Sequence, residues 1–569
     1  LYIALLYCTG VVGLYWMVRI GSGSRFWSWI AAAVTTLSSP IFFFVAQFRD
    51  DYAAFRHMPV RLGALVIYGE GPHMSALALI PFALAASWYG VRQGQPVALG
   101  LAGILAALIV ANNFYGATAL VIFFLCLLWS LWLTHQDWFI WLRGAAIAAL
   151  AYALIASWFT PSFIHFTFRN MQLVSAPGNS WSIWVAAGCA LAFAALSWRW
   201  ARGQPGKAWP VFVIANLAAW SLQVLGQHFF DFRVLGEPGR HIPEFDMMFI
   251  VAACLLLGWV WRKGYAGKAV TIVVLLATFH HVKGFARHSW EFFQEDLHPE
   301  RRIEYKISDW MHQNMPNARA LATGSVRFWY NAWHDLPQMG GGSEQGLMNL
   351  HTSTAYSNIT GANSLEMRGL AIAWAQSLGV DALIVHDAAS QEIYKDYTQP
   401  ELFYKDLKAL YRDGAGNWIL DVGRRWPQRS RVVEASRIRP LPPPIGDPVW
   451  TTVAAYAQAV EHGPDTPTYH DRPAIDRIHV RANLTAGQLI LIQETFDSSW
   501  KAYSNGRLVP VEKDAMDFML LDPGSGTHDI TLQWETPMEM KVGRAITGLT
   551  LPILGWLLLA SPLRRWRRS

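Results

Sequence analysis

A charged segment beside long apolar stretches contains the side chains in this sequence that are best suited to chemistry. Segment 48–72 carries the adjacent carboxylates Asp50 and Asp51, and a third carboxylate, Glu70, lies near its end. Ionisable groups beside a membrane are costly unless they are paired, hydrated or used. The adjacent carboxylates could bind a divalent metal, Mg²⁺ or Mn²⁺, or one of them could serve as a general base. An interfacial loop whose charges neutralise one another is the alternative.

Cationic residues in the same region could bind phosphate. Arg49, Arg56 and Arg61 lie among the carboxylates, and a later Pro-Gly turn is followed by Arg240 and His241. A guanidinium can hold a phosphate through two parallel hydrogen bonds. The sequence therefore predicts a lipid-phosphate contact at these residues. Arginines that only extend towards lipid headgroups are the alternative.

A glycine-rich segment, 327–342, combines aromatic and polar side chains. Aromatic faces stack on sugar rings, and polar groups bind the hydroxyls. We therefore predict a sugar or acceptor contact here. A tryptophan-rich surface that lies on the membrane or under another loop is the alternative. The predicted contact residues are Trp329, Trp333, His334, Asp335 and Gln338.

The composition is that of a membrane protein. Of 569 residues, 53% are hydrophobic and only 15% are charged, whereas about 25% is usual for a soluble domain. The net charge of +6 comes mainly from short loops between apolar stretches, which indicates membrane topology and not nucleic-acid binding. All four cysteines lie in apolar segments, so we expect neither a disulfide framework nor a cysteine metal site.

Apolar stretches of roughly 17–22 residues predict about eleven membrane spans. Positive residues favour the cytoplasmic side, which places the C-terminus inside and the long polar segment outside. The first span would then run inwards without a preceding helix, so we expect the chain to lack an N-terminal helix and its outer loop. The predicted spans are 1–18, 28–47, 73–90, 96–112, 116–133, 140–159, 181–198, 209–228, 245–261, 268–284 and 543–560.

The polar segment is predicted to contain two domains. Its first part mixes helix and strand patterns, and a proline-rich link follows. Its second part alternates with period two and contains the hairpin turn Asn505-Gly506, which predicts an antiparallel β-sandwich. We expect transmembrane helices in 1–284, an extracytoplasmic α/β domain in 285–435, the β-sandwich in 446–542, a last helix in 543–560 and a basic cytoplasmic tail in 561–569.

Several of these motifs resemble known bacterial membrane proteins. The stretch from Glu494 to Gly506, with its W-x-A-x-x-N-G hairpin, and the stretch from Asp522 to His528 resemble the C-terminal module of YfhO-like proteins. Residues 31–40 and the loop to Gly69-Glu70-Gly71 resemble proteins labelled "6-pyruvoyl-tetrahydropterin synthase-related". Both groups are similar to the GT-C superfamily of polytopic membrane glycosyltransferases.

The resemblance implies an inverting transfer of a sugar from a polyprenyl-phosphate donor to a glycan, lipid or protein outside the bacterial cytoplasmic membrane. The acidic role of the family would fall on Asp50 and Asp51, and more weakly on Glu70, with a divalent metal as an option. Arg49, Arg61 and Arg240 would hold the donor phosphate. The main departure is the first outer loop, where the family usually places its acidic residue and which we expect to be missing from this sequence.

Two other classes of function remain open at this point. The protein could be a non-catalytic component of envelope assembly whose outer part captures glycan. A transporter fits less well, because the sequence has no repeat between its halves and few charges inside its spans.

Overall fold

The computed structural model describes residues 1–55, 57–174, 178–234, 236–292, 298–341, 346–446 and 449–566. Arg56, a predicted phosphate ligand, lies outside the described residues. The chain forms two compact units. We call Leu1–Ile164, Met171–Gln294 and Met538–Ser569 the membrane unit, and His165–Asn170 with Glu295–Pro537 the sheet unit.

Helices dominate the membrane unit, although the middle of the tenth helix, His165–Asn170, belongs to the sheet unit. They are α1 Tyr2–Ser22, α2 Arg25–Leu37, α3 Ile41–Phe44, α4 Ala46–Asp51, α5 Val60–Val66, α6 Gly71–Gln93, α7 Pro96–Asn112, α8 Phe114–His135, α9 Phe139–Ile155, α10 Pro161–Val174, α11 Ser180–Ala201, α12 Ala208–Phe230, α13 Ile242–Trp261 and α14 Tyr265–His288. A short 3₁₀ turn, Pro238–His241, leads directly into α13.

Eight helices in the described part of the chain are long and apolar enough to cross a membrane, and α7 and α9 are shorter apolar helices. The expected multi-pass membrane protein is therefore confirmed, while the count of about eleven spans is not. The stretch 28–47 was predicted as one span. In the structure its helix α2 ends at Leu37, and the chain bends before α3 begins at Ile41. Pro40 explains the break, because proline disfavours helical conformation in the residue before it.

Helix α6 is the central helix of the membrane unit and packs against α1, α7 and α8. Glycines make two of these contacts close. A Cβ atom added at Gly10 of α1 would lie 2.7 Å from the Cβ of Ala78, and one added at Gly116 of α8 would lie 2.2 Å from the Cβ of Ala76. Small residues let helix backbones approach in this way. The packing therefore fixes α6 and the side chains of its first turn.

The sheet unit combines helices and strands before the chain returns to the membrane unit in α22, Met538–Trp566. Its helices are α15 Ile303–Asn314, α16 Val326–Trp329, α17 His351–Thr360, α18 Leu365–Ser377, α19 Glu401–Tyr404, α20 Ala435–Ile438 and α21 Val449–Glu461. Its strands are β1 Ala320–Leu321, β2 Ala382–His386, β3 Ala409–Arg412, β4 Asn417–Asp421, β5 Ser430–Glu434, β6 Tyr469–Ala474, β7 Arg477–Leu484, β8 Gln488–Thr495, β9 Trp500–Ser504, β10 Arg507–Val509, β11 Val511–Lys513, β12 Phe518–Leu521 and β13 Gly526–Trp534.

Three sheets organise this unit. The first has the order β1-β2-β4-β3, with β1 parallel to β2. Two antiparallel sheets, β10-β9-β13-β7-β6 and β11-β12-β8-β5, enclose an apolar core that includes Ile478, Ile490 and Leu532. The period-two pattern thus forms a sandwich. Strand β5 precedes the proline-rich link, so the sandwich also uses residues from the segment that the sequence assigns to the α/β domain.

The hairpin between β9 and β10 turns at the predicted dipeptide. Asn505 has φ 48° and Gly506 has φ 79°, and Ser504 pairs with Arg507 across the turn. Two successive positive φ angles are what a type I′ turn requires. The sequence prediction of this turn is confirmed.

Candidate functional site

An ion pair joins two residues that the sequence singles out separately. Arg240, in the 3₁₀ turn before α13, pairs with Glu70, which precedes α6. The guanidinium carbon of Arg240 also lies 5.2 Å from the centroid of the Tyr115 ring. The fold therefore brings a predicted acidic residue and a predicted phosphate-binding residue together, at the beginnings of two membrane-spanning helices.

The next residue along the chain, His241, belongs to a buried polar cluster. His73 Nε2 lies 2.9 Å from Glu244 Oε1, and His241 Nδ1 lies 3.7 Å from the same oxygen. Their side chains are at most 1% exposed. Tyr115 and Trp220 surround the cluster, with ring centroids 5.7 and 5.1 Å from that of His241. We call His73, His241 and Glu244 the buried triad.

Asp246, another charged residue near the start of α13, binds the chain where the helix is broken before α3. Asp246 Oδ1 accepts a hydrogen bond of 2.9 Å from the backbone N–H of Ile41. In the same segment, the hydroxyl oxygen of Ser39 accepts a hydrogen bond of 2.8 Å from the N–H of Val60. A side chain of α13 therefore satisfies the backbone N–H of Ile41, which follows the bend at Pro40. The start of α13 thus contacts α3, α5 and His73 of α6.

The predicted acidic pair lies on the short helix α4. Arg49 Nε is 3.2 Å from Asp50 Oδ1, and the side chains of Asp50 and Asp51 are exposed. Neighbouring helical residues do not face each other. In the described part of the chain, the buried triad is the group of three or more candidate ligands whose atoms converge. Asp50 and Asp51 do not belong to that group, and a divalent metal at this pair stays a prediction.

Arg61, another predicted phosphate ligand, is buried in α5. Its Nη2 donates a hydrogen bond of 2.9 Å to the carbonyl oxygen of Tyr7, and its guanidinium carbon lies 4.3 Å from the Tyr7 ring centroid. Its Nε has no hydrogen-bond partner among the described residues. A guanidinium carries five N–H donors, and burial keeps most of the Arg61 side chain from solvent.

Two of the predicted sugar-binding residues form an exposed aromatic surface in the sheet unit. The rings of Trp329 and Trp333 lie 6.0 Å apart at an angle of 24°, and the Trp329 side chain is exposed. Tyr305 packs edge-on against Trp333 at 5.4 Å. Such a surface suits stacking against a sugar ring.

The other three predicted sugar-binding residues have different surroundings. His334 stacks on His312 with ring centroids 4.3 Å apart. Gln338 donates a hydrogen bond of 3.0 Å to the carbonyl oxygen of Arg327, so its amide supports the loop. Asp335 lines a polar cavity of about 800 Å³, which is within the range of ligand sites. The polar residues that line this cavity are Asn317, Asp335, Gln428, Arg429, His470, Asp471 and Arg472.

His470, which lines this cavity, makes the stability of the fold depend on pH. Burial, together with the nearby guanidinium of Arg429, lowers the pKa of His470 to about 4, from an ordinary value of about 6.5. The unfolded chain binds this proton first as the pH falls, so the folded state loses stability between about pH 6.5 and pH 4. Between pH 7 and pH 4.5, we expect the His470→Asn variant to lose about 1–3 kcal/mol less stability than the wild type.

Thermal unfolding of the full chain at a series of pH values, followed by tryptophan fluorescence, would measure this effect. His462→Gln is the matched control, because His462 is an exposed histidine of the same unit. Identical pH profiles for the wild type and His470→Asn would contradict the prediction.

Sequence reasoning missed His73 and Glu244 as site residues. A signal for both was present: His241 and Glu244 are spaced i, i+3 at the start of an apolar span, which places them on one helix face. His73 lies in the first turn of another span. Ionisable residues inside such spans are functional candidates by default. That these three residues meet depends on the tertiary fold, which brings His73 at the start of α6 to Glu244 at the start of α13 and which the sequence does not reveal.

Comparison with known proteins gives a limited result. No protein-family model matches the sequence, and no curated protein matches it. Among solved structures, the chain is similar to arabinofuranosyltransferase AftD from Mycobacteria, with TM-score 0.42, 15% identity and coverage of 94% of this chain and 51% of that chain. A mutant form of AftD, in two structural classes, also gives TM-score 0.42, with 14% and 13% identity and 53% and 52% of that chain covered. The chain therefore spans about half the length of these proteins, and at this level the similarity carries no conclusion about activity.

Proposed function

We propose that this protein is a membrane glycosyltransferase that transfers a sugar from a polyprenyl-phosphate donor to an envelope glycan, lipid or protein. The reaction would take place outside the cytoplasmic membrane of a bacterium. The observation that supports this most directly is the Arg240–Glu70 ion pair, which lies at the start of two spans and is followed in the chain by the buried triad. Charged groups are concentrated there in an otherwise apolar unit, as a charged substrate requires.

The chemistry needs a base and a cationic site. In an inverting transfer, the acceptor oxygen forms a bond to the anomeric carbon while the bond from that carbon to the phosphate oxygen breaks. The acceptor hydroxyl loses its proton to a base, and the lipid phosphate departs with the bonding electrons. Asp50 and Asp51 are exposed carboxylates that can take the proton. A divalent metal at Asp50 and Asp51 stays a prediction, and the proton transfer described here does not depend on it.

Arg240 is the best-placed group for the departing phosphate. Its carboxylate partner Glu70 orients the guanidinium, while nearly half of the Arg240 side chain remains exposed. A guanidinium fixed before the reaction can stabilise the developing negative charge without reorganising. Arg49 and Arg61 remain predicted donor contacts, although Arg61 is largely buried. His241, which the sequence suggests for the same role, is buried in the triad.

An apolar cavity in the membrane unit supports the lipid nature of the donor. It has a volume of about 810 Å³ and lies between α8, α11 and α12. Side chains such as Trp129, Phe193, Leu222 and Phe229 line it. A polyprenyl chain is flexible and wholly apolar, so such a cavity can hold part of it without leaving polar groups unpaired.

Replacing both aspartates by asparagine tests the proposal. Asparagine preserves shape but cannot accept the acceptor proton, so we expect the Asp50→Asn/Asp51→Asn variant to lose at least about 100-fold in transfer rate. The measurement is transfer of radiolabelled sugar from a polyprenyl-phosphate donor by the full chain reconstituted in liposomes.

Asp231→Asn is the matched control, because Asp231 is also an exposed carboxylate of the membrane unit that pairs with a nearby arginine, Arg233. We expect it to keep the wild-type rate. Wild-type transfer by the double aspartate variant would remove the catalytic assignment of Asp50 and Asp51. Absence of transfer by the wild type with any polyprenyl-phosphate sugar would contradict the proposed function.

A non-catalytic glycan-binding protein is the second candidate. It is favoured by the polar cavity of the sheet unit together with the exposed Trp329–Trp333 pair. This candidate would be preferred if the reconstituted wild type transferred no sugar but retained envelope glycan, and if Trp329→Ala/Trp333→Ala abolished that retention. Trp450→Ala, at another exposed tryptophan of the same unit, is the control.

A further inference from the structure

Only some polar atoms of the buried triad form hydrogen bonds with other described residues. The hydrogen bond between His73 Nε2 and Glu244 Oε1 accounts for one contact of 2.9 Å. Glu244 Oε2 and both ring nitrogens of His241 have no hydrogen-bond partner among the described residues. Buried polar atoms are normally satisfied, so unpartnered atoms that converge on one point need an explanation. A bound ion that takes lone pairs from all three side chains would supply it.

The separations of the candidate ligand atoms suit a four-coordinate ion. Ligands about 2.0–2.1 Å from a tetrahedral metal lie about 3.3 Å from one another. The distances from Glu244 Oε1 to His73 Nε2 and to His241 Nδ1, 2.9 and 3.7 Å, lie on either side of that value. One ligand atom from each of the three residues can be chosen so that all lie within 4.8 Å of one another. A single ion can therefore contact all three after small rotations of the side chains.

The chemistry of the ligands selects the class of metal. Two imidazole nitrogens and one carboxylate oxygen suit Zn²⁺ and related transition ions, whereas Mg²⁺ and Ca²⁺ prefer oxygen ligands alone. His73 lies in the first turn of α6, His241 in the 3₁₀ turn before α13 and Glu244 in the first turn of α13, so all three ligands stand on regular backbone, which restricts their positions. The surrounding aromatic rings of Tyr115 and Trp220 limit competition from water.

We propose that His73, His241 and Glu244 bind one divalent transition-metal ion of the zinc class, with three protein ligands and one further coordination position. This inference does not rest on the proposed sugar transfer. The site differs in residues and in metal class from the predicted Mg²⁺ or Mn²⁺ site at Asp50 and Asp51. The ion would link α6 to α13 inside the membrane unit and would neutralise the buried carboxylate of Glu244.

Metal analysis of the purified full chain tests the proposal without any sugar donor. After treatment with a chelator and incubation with Zn²⁺, we expect the wild type to retain about one equivalent after desalting. Glu244→Gln and His241→Asn should each lower zinc affinity by at least about 10- to 100-fold. His228→Gln, at an exposed histidine of the membrane unit, is the control and should retain zinc like the wild type.

Cobalt provides a second measurement that needs no variant. Co²⁺ in a four-coordinate nitrogen and oxygen site absorbs visible light strongly, and we expect this absorption from the wild type and from His228→Gln. A wild type that retains no zinc and shows no such cobalt absorption would overturn the proposal, as would full zinc retention by a folded His241→Asn variant. Failure of sugar transfer with zinc bound would contradict the proposed function and leave the metal site in place.

Discussion

Arg240→Gln is expected to lower the rate of sugar transfer by about 100- to 1,000-fold, because it removes a preorganised cation from the departing phosphate. Glutamine keeps part of the side-chain volume and can still donate hydrogen bonds from its amide nitrogen, so the loss reports mainly the charge and the paired geometry of the guanidinium donors. The effect corresponds to about 2.7–4 kcal/mol of transition-state stabilisation. Initial rates in liposomes at saturating and at limiting donor concentration would measure it.

A double-variant cycle tests whether Arg240 acts together with Glu70. Because Glu70 positions the guanidinium through the ion pair, the combined variant Glu70→Gln/Arg240→Gln should be little slower than the worse single variant. Arg233→Gln is the control, since Arg233 lies nearby in sequence and pairs with Asp231 at 2.7 Å. Losses that simply add in the combined variant would show that the two residues act independently.

Arg424→Met is expected to have the largest effect on stability in the sheet unit, about 3–5 kcal/mol. The Arg424 side chain is buried, donates 2.9 Å hydrogen bonds to Asp381 and to Gln493, and lies 3.4 Å from Glu461. Methionine would fill much of the space but would leave two buried carboxylates without this cation. Thermal and denaturant unfolding of the full chain, followed by tryptophan fluorescence, would measure the loss.

The loss should depend on pH with a definite sign. Burial raises the pKa of Asp381, and the Arg424 guanidinium opposes that rise. Without Arg424 the folded-state pKa of Asp381 rises further above its unfolded value, so the ionised form destabilises the fold more as pH increases. The stability that Arg424→Met loses relative to the wild type should therefore be larger at pH 7 than at pH 4.5.

The neighbouring residue is the natural control. Arg425 pairs with Asp465 at 3.3 Å, but both side chains are well exposed. Exposed ion pairs contribute about 0–1 kcal/mol, so Arg425→Met should change stability little at any pH. Equal effects of the two substitutions would mean that burial of the Arg424 network does not determine its contribution.

Local patterns in the sequence predicted those features that depend on local physics. Apolar stretches predicted a multi-pass membrane protein, and the dipeptide Asn505-Gly506 predicted a hairpin turn whose positive φ angles the structure contains. The stretch 28–47 was less well predicted, because hydropathy alone does not register the helix break before Pro40. A side chain from elsewhere also holds the broken segment, because Asp246 accepts a hydrogen bond from the N–H of Ile41.

By itself, the sequence indicated the membrane character of the chain and its long polar segment, and it singled out Glu70, Arg240 and His241 as separate candidates. Only the tertiary structure decided that Glu70 pairs with Arg240, and that His73 and Glu244 join His241 in the buried triad. The physical reason is distance along the chain. Hydropathy and helical spacing relate residues that are close in sequence, whereas these contacts join residues about 170 positions apart. Close packing of α6 against Gly10 of α1 and Gly116 of α8 fixes the α6 side of these contacts.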